Sequence, residues 1–306
     1  MNFGTILVSV DGSELSDRIL VQARRLLVSQ DRAVVLLRVI APRGATEAPG
    51  AHQERLDAAR AHLERLRAGL CAGGLTVTPL LEVGDPAQAI LDVLQRERIG
   101  LVVMSTHGRT GLARWVRGSV AERVLRGAGV PVFLANPRAL GDAPSPGELR
   151  FERILVPLDG SPHAAEVLPA VVELARAFEA PVTLLRVGLT MPANADVLLP
   201  YVCETPRELA AALEGPRGLL AEAGVEAKVA VTYGQPTTEI LAEAERVPGT
   251  LLVMATHGRS GSDRWIYGST AEAVLRLCPC PLLVQRVAGF QGERPARAPE
   301  RVAVSQ

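Results

Sequence analysis

Short runs of apolar, β-branched residues alternate with amphipathic stretches along almost the whole chain. The runs at 4–10, 33–39, 75–83, 99–105 and 131–135 read as five strands. Five more lie at 153–158, 182–187, 227–232, 250–255 and 281–285. Between the first two runs, Leu15, Ile19, Ala23 and Leu26 share one helical face, and Leu56, Leu63, Leu66 and Leu70 mark a second helix. A third helix begins at Pro86 and a fourth at Ser119. The strands are apolar throughout rather than alternating, which requires burial on both faces. Such strands separated by helices form a parallel sheet with right-handed crossovers. The predicted class is α/β, with two tandem doubly wound, five-stranded parallel sheets of Rossmann-like design.

The pattern is tandem because the chain repeats itself. Residues 101–119 read LVVMSTHGRTGLARWVRGS and residues 251–269 read LLVMATHGRSGSDRWIYGS. The start ILVSVDGS at 6–13 returns as ILVPLDGS at 154–161. A period this long is one domain per copy rather than a solenoid repeat. The expected division is a domain at 1–138, a linker at 139–150, a domain at 151–288 and a disordered tail at 289–306. The linker lies within the Pro-, Gly- and Ser-containing stretch 136–150, which reads as exposed, and the tail is polar and proline-bearing. Pro206, Gly215 and Pro216 interrupt the second helix of copy two, marking it as the more divergent copy.

Composition narrows the chemistry. The 306 residues divide into two units of ordinary size, each with room for a core. Aromatic content of 3% argues against base-stacking or carbohydrate platforms, and zero formal net charge supplies no field for nucleic acid or anionic membrane. Lys228 is the only lysine, and no Walker-type phosphate loop occurs. The four cysteines do not match across the repeat. Cys278-Pro-Cys280 lacks the C-x-x-C spacing of redox or zinc sites, so the thiols read as reduced and packed. No run is long enough for a membrane span, and the first residues lack a signal-peptide pattern, so the expectation is a cytoplasmic protein.

In doubly wound sheets ligands sit outside the carboxyl ends of the strands, at the switch point. Both segments kept by the two copies fall there. After strand four, Gly108 precedes Gly118-Ser119, and Gly258 precedes Gly268-Ser269, across the same nine-residue gap. Glycines let a backbone approach a ligand, and the first amides of the next helix favour an anion. Ser119-Val120-Ala-Glu122 and Ser269-Thr270-Ala-Glu272 are also capping boxes, which need no ligand. A cap alone would not constrain the distant Gly108 and Gly258. After strand one, Asp11 and Asp159 either close a turn or face the crevice, where a carboxylate could accept from ribose or hold a divalent ion. His107 and His257 read as loop-packing or ligand hydrogen-bonding groups rather than bases. Arg109, Arg114, Arg259 and Arg264 either meet phosphate or stay solvated, and Trp115 and Trp265 read as lid or core packing. Gly84-Asp-Pro86 and Gly234-Gln-Pro236 read as strand and helix punctuation.

Together these motifs, with the Leu-Leu-Arg-Val endings of strand two, resemble a tandem universal stress protein over nearly all of residues 1–288. The resemblance implies an adenine nucleotide alpha hydrolase-like fold and, in the nucleotide-binding branch, ATP, with ADP or AMP as alternatives and magnesium or manganese as an option beside the phosphates. It carries Gly108, Gly118 and Ser119 to the phosphates in copy one, and Gly258, Gly268 and Ser269 in copy two, with Val120 and Thr270 next to them as further cofactor-binding candidates. His107, Arg109, His257 and Arg259 flank those loops. Asp11 and Asp159 would lie near ribose, phosphate or a divalent ion, and the backbones of Val39 and Val187 would meet adenine. The family pattern opens with another glycine, where this chain has Ser105 and Ala255, and Asp263 adds a negative charge where copy one has Ala113. The resemblance also implies that the two copies pair within one chain through their last strands, with a homodimer as a further option.

The expected function is a nucleotide-dependent regulatory or stress-response module acting on an unidentified protein partner. The alternatives are a slow ATPase and a nucleotide-independent partner-binding scaffold. The S-G-G-x-D-S loop of adenylating enzymes is absent, and no lysine stands ready to stabilise a transferred phosphoryl group.

Overall fold

A computed structural model of the chain describes residues 3–27, 33–42, 50–106, 120–140, 150–191, 201–202, 204–256 and 269–286. The first half comprises β1 (Thr5–Val10), α1 (Glu14–Asp17), α2 (Ile19–Leu27), β2 (Ala33–Ile40), α3 (Ala51–Cys71), β3 (Thr76–Val83), α4 (Pro86–Arg96), β4 (Ile99–Ser105), α5 (Val120–Gly127), β5 (Val132–Ala135) and α6 (Pro137–Leu140). The second half comprises β6 (Arg153–Pro157), α7 (Pro162–Ala165), α8 (Leu168–Phe178), β7 (Val182–Gly188), β8 (Thr190–Met191), β9 (Tyr201–Val202), α9 (Pro206–Ala211), α10 (Glu214–Glu222), β10 (Ala227–Tyr233), α11 (Pro236–Glu245), β11 (Thr250–Ala255), α12 (Ser269–Leu277) and β12 (Leu282–Gln285).

The α/β class holds, with the order β3-β2-β1-β4-β5 in the first half and β10-β7-β6-β11-β12 in the second. Every pairing within each five-stranded sheet is parallel, and the order reverses beside β1 and beside β6. The two five-stranded sheets are continuous. β5 and β12 pair antiparallel, Val132 opposite Val284, Phe133 opposite Leu283 and Leu134 opposite Leu282, giving ten strands. Each of these strands would otherwise be an open edge carrying an apolar row, and pairing them removes both edges. All six side chains at this seam are buried, each worth about 2 kcal/mol relative to exposure.

The sheet, rather than the repeat, divides the apolar interior. On one face Ile6, Val8, Leu36, Leu101 and Phe133 pack with α2, α3 and α8 residues, and the cluster runs on through Ile154, Val156 and Leu283. On the other face Leu7, Leu37, Val102 and Leu134 pack with α4 and α5, and continue through Leu155, Leu252 and residues of α11 and α12. Phe151 joins the halves, edge-on to Phe178 at 5.0 Å and tilted against Phe133 at 6.4 Å, with the Arg25 guanidinium 4.2 Å from its ring centre.

Three expectations shift, and one holds. The first helix of each half is broken after one turn, into α1 and α2 and into α7 and α8. The stretch 136–150 is not exposed from its start. Asn136 is buried, its Oδ1 accepts from the Ala139 amide at 3.0 Å, and α6 covers 137–140; residues 141–149 lie outside the described set. A short antiparallel hairpin, β8 with β9, comes after β7. The second helix of the second half is split into α9 and α10, as its Pro and Gly residues predict. α9 begins with a full capping box between Thr205 and Glu208.

Candidate functional site

The turn after each first strand is built alike. Asp11 Oδ1 accepts from the Ser13 amide at 2.8 Å and its hydroxyl at 2.7 Å. Ser13 Oγ in turn accepts from the Ser16 amide at 3.1 Å and caps α1. Asp159 holds Ser161 in the same way, at 2.9 and 2.6 Å, and Ser161 caps α7. Between them Gly12 and Gly160 take φ of +84° and +80°, a region open to glycine at no steric cost. One oxygen of each carboxylate is therefore engaged by the turn, which fixes the direction in which the carboxylate presents itself.

The register brings the expected residues to one edge of the sheet. Val10 lies opposite Arg38 and Ser9 opposite Met104, so Asp11, Val39 and Ser105 share the carboxyl end of the first half. Val120 opens α5 beside that end. In the second half Pro157 lies opposite Leu185, and the Leu158 amide donates to the Leu185 carbonyl at 2.9 Å. There a cavity of about 290 Å3 opens, near the lower end for small-molecule sites. Asp159, Val187, Ala255 and Thr270 all line it, with Leu158, Leu185, Ile240 and Met254 forming an apolar wall. Ser269 opens α12 at the same edge. His107, Gly108, Arg109, Gly118 and Ser119, with Arg114 and Trp115, lie outside the described residues. So do His257, Gly258, Arg259 and Gly268, with Asp263, Arg264 and Trp265.

Two charged groups lining the cavity were missed by the sequence reading. Arg186 lines the cavity while only 3% exposed. Its Nη1 donates to the Leu158 carbonyl at 3.4 Å, and Nη2 stands 3.7 Å from a Glu204 carboxylate oxygen that also lines the cavity. A guanidinium taken out of water needs compensating charge and acceptors, and an anionic guest in the cavity would add to both. The signal was present as an arginine inside an otherwise apolar strand, Leu36-Leu37-Arg38-Val39 and Leu184-Leu185-Arg186-Val187. Glu204 has no such signature. Its carbonyl accepts from the Tyr233 hydroxyl at 2.9 Å, and burial, with the charges of Glu204 and Glu208, pushes that phenol above its ordinary range. Among the described residues no group of three or more His, Cys, Asp or Glu is placed to hold a metal ion, and no helix is long and apolar enough to cross a membrane.

The family model for the universal stress protein family matches residues 2–136 and again 150–286. The chain belongs to the universal stress protein family. A universal stress protein of Mycolicibacterium smegmatis is 27% identical over 300 residues, 92% of this chain and 96% of that one. The single-length universal stress protein YxiE of Bacillus subtilis is 31% identical over 147 residues, covering 44% of this chain and 99% of its own. Among solved structures, a universal stress protein from Archaeoglobus fulgidus superposes with a TM-score of 0.73 at 22% identity, covering 94% of this chain and 99% of that one. At that identity the likeness bears on the fold, which the universal stress protein assignment shares.

Proposed function

We propose that this universal stress protein binds an adenine nucleotide, ATP foremost, and that occupancy of the crevice sets its conformation or choice of partner. The observation that carries the reading is the cavity at the carboxyl ends of β6, β7 and β11. It has an apolar wall suited to a base, Val187 beside it, and both a fixed carboxylate, Asp159, and a buried cation, Arg186. The residues present fit such a ligand: the Val187 backbone for the base, Asp159 for ribose hydroxyls, and the amides opening α12 at Ser269 and Thr270 with Arg186 for phosphate. The glycine loops at 108–118 and 258–268 would complete the phosphate contacts in each half. Nucleotide would supply a polyanion whose loss or gain changes the charge at the sheet edge.

The test is mass analysis of small molecules released on denaturing freshly purified protein, then calorimetric titration of the emptied protein with ATP and magnesium. Carried-over or acquired adenine nucleotide supports the reading. A protein that releases none and binds none would leave the partner-binding scaffold in its place.

A further inference from the structure

A pair of thiols lies outside both crevices, in the turn between α12 and β12. Cys278 Sγ and Cys280 Sγ are 3.5 Å apart, with Pro279 between them in sequence and Pro281 leading into β12. The first half makes the same turn as Ala128-Gly129-Val130-Pro131. The Ala128 amide closes α5 by donating to the Val124 carbonyl at 2.7 Å, as the Cys278 amide closes α12 by donating to the Val274 carbonyl at 2.8 Å. The fold therefore needs neither sulfur, and the facing thiols are an addition to it. Cys278 is buried and Cys280 is half-buried, so the pair reaches solvent through Cys280.

The two thiols share a hydrogen bond in which either can donate. That bond holds the Cys278 thiol below the range of a free cysteine, because the Cys280 S–H stabilises its thiolate. The same bond, together with burial, pushes the Cys280 thiol up. The first proton thus leaves the pair readily, from Cys278, while Cys280 keeps its own as donor of the shared bond. The charge of Arg153 nearby offsets only part of the rise at Cys280. The turn is also tied to the other half, since the Cys278 carbonyl accepts from Asn136 Nδ2 at 2.6 Å.

We propose that Cys278 and Cys280 form a redox-active dithiol that hydrogen peroxide oxidises to an intrachain disulfide and that a low-molecular-weight thiol reduces again. A thiolate of the pair attacks one peroxide oxygen. The S–O bond forms, the O–O bond breaks, and hydroxide leaves as water after taking a proton, giving a sulfenic acid. The second sulfur attacks the sulfenic sulfur; the S–S bond forms, the S–O bond breaks, and the second water carries off the remaining thiol proton. Two electrons pass from sulfur to peroxide, and the reducing thiol returns them in becoming its own disulfide. The sulfurs need close by only about 1.5 Å to reach bonding distance.

The experiment treats the reduced full-length chain with hydrogen peroxide and counts free thiols under denaturing conditions. Two of the four thiols disappear and return on treatment with dithiothreitol. The peptide holding both cysteines resists alkylation and is lighter by two hydrogens. Cys278→Ala and Cys280→Val install the residues that the first half carries in this turn, so both variants keep the wild-type circular dichroism. In either variant the reversible loss of two thiols vanishes, and the remaining cysteine oxidises about tenfold more slowly, toward sulfinic acid. The proposal is overturned if all four thiols survive peroxide. It is equally overturned if the loss persists in both variants, which would assign it to Cys71 and Cys203, or if the linked species join separate chains. None of these readouts depends on whether nucleotide binds.

Discussion

The two crevices stand on equivalent strands and yet are furnished differently, and one difference is a side chain missing from the second. In the first half the strand-two residue Ile40 lies opposite Val83 on the edge strand β3. In the second half the corresponding pair is Gly188 and Tyr233. A Cβ at Gly188 would fall 2.6 Å from both the Tyr233 ring and Leu209, so the glycine is what lets the ring lie across the strand and α9 close over it. The phenol then anchors the Glu204 backbone, and Glu204 sets its carboxylate against Arg186 at the cavity. In the first half Arg38 is instead packed under the Asp11 turn, so close that a Cβ on Gly12 would sit 2.4 Å from Nη2. Arg38 is packed beneath a turn, and its counterpart Arg186 lines a cavity and donates to the backbone leading into the matching turn.

This comparison can be broken in several places. The largest effect belongs to Arg186→Met, which removes the buried cation and leaves Asp159 and Glu204 facing the guest. Nucleotide affinity at the second crevice should fall about a hundredfold with the first crevice unchanged, read by two-site calorimetry. Equal losses at both crevices would show that the arginine acts through the fold instead. Gly12→Ala combines positive φ with a clash against Arg38, and should cost about 2 kcal/mol in urea unfolding. A variant within about 0.5 kcal/mol of the parent would mean that Arg38 moves freely away. Glu204→Gln removes a competing anion from the second crevice and should tighten ATP there about fivefold, falling toward parity as salt is raised.

The smallest effect concerns alkali. Because the Tyr233 phenol is raised in the folded chain, the neutral form binds its proton more tightly than it does when unfolded. That contribution is complete below the ordinary tyrosine value of about 10 and is lost as pH rises through the higher folded value. Tyr233→Phe should therefore flatten the decline of Tm above about pH 10 while lowering Tm near neutrality by about two degrees. An unchanged alkaline slope would remove Tyr233 from the account.

Much of the fold was legible because its signals are local. The central strands carry long apolar runs, and Pro86 and Pro162 mark helix starts that the structure keeps. The break after α1 was not legible, because Leu15 and Ile19 keep helical spacing across it. The β8–β9 hairpin is only two residues per strand, too short for a period to register. At the site, Asp159 could be placed from its position after a strand in a doubly wound sheet, whereas Val187, Ala255 and Thr270 were reached only through the resemblance to the universal stress protein family. Glu204 was reached by neither. It reaches Arg186 only through the Tyr233 hydroxyl, a contact set by the space above Gly188 and by nothing in its own neighbourhood of sequence.

The antiparallel seam between β5 and β12 has a consequence for reach. Because the strand direction reverses there, the carboxyl ends of β1, β2 and β4 point one way, and those of β6, β7 and β11 point the other. The molecule is bipolar, with its two mouths on opposite rims. No single flat docking partner can cap both, and news of a guest at one rim travels through the shared ten-stranded spine and the two apolar cores that continue across it.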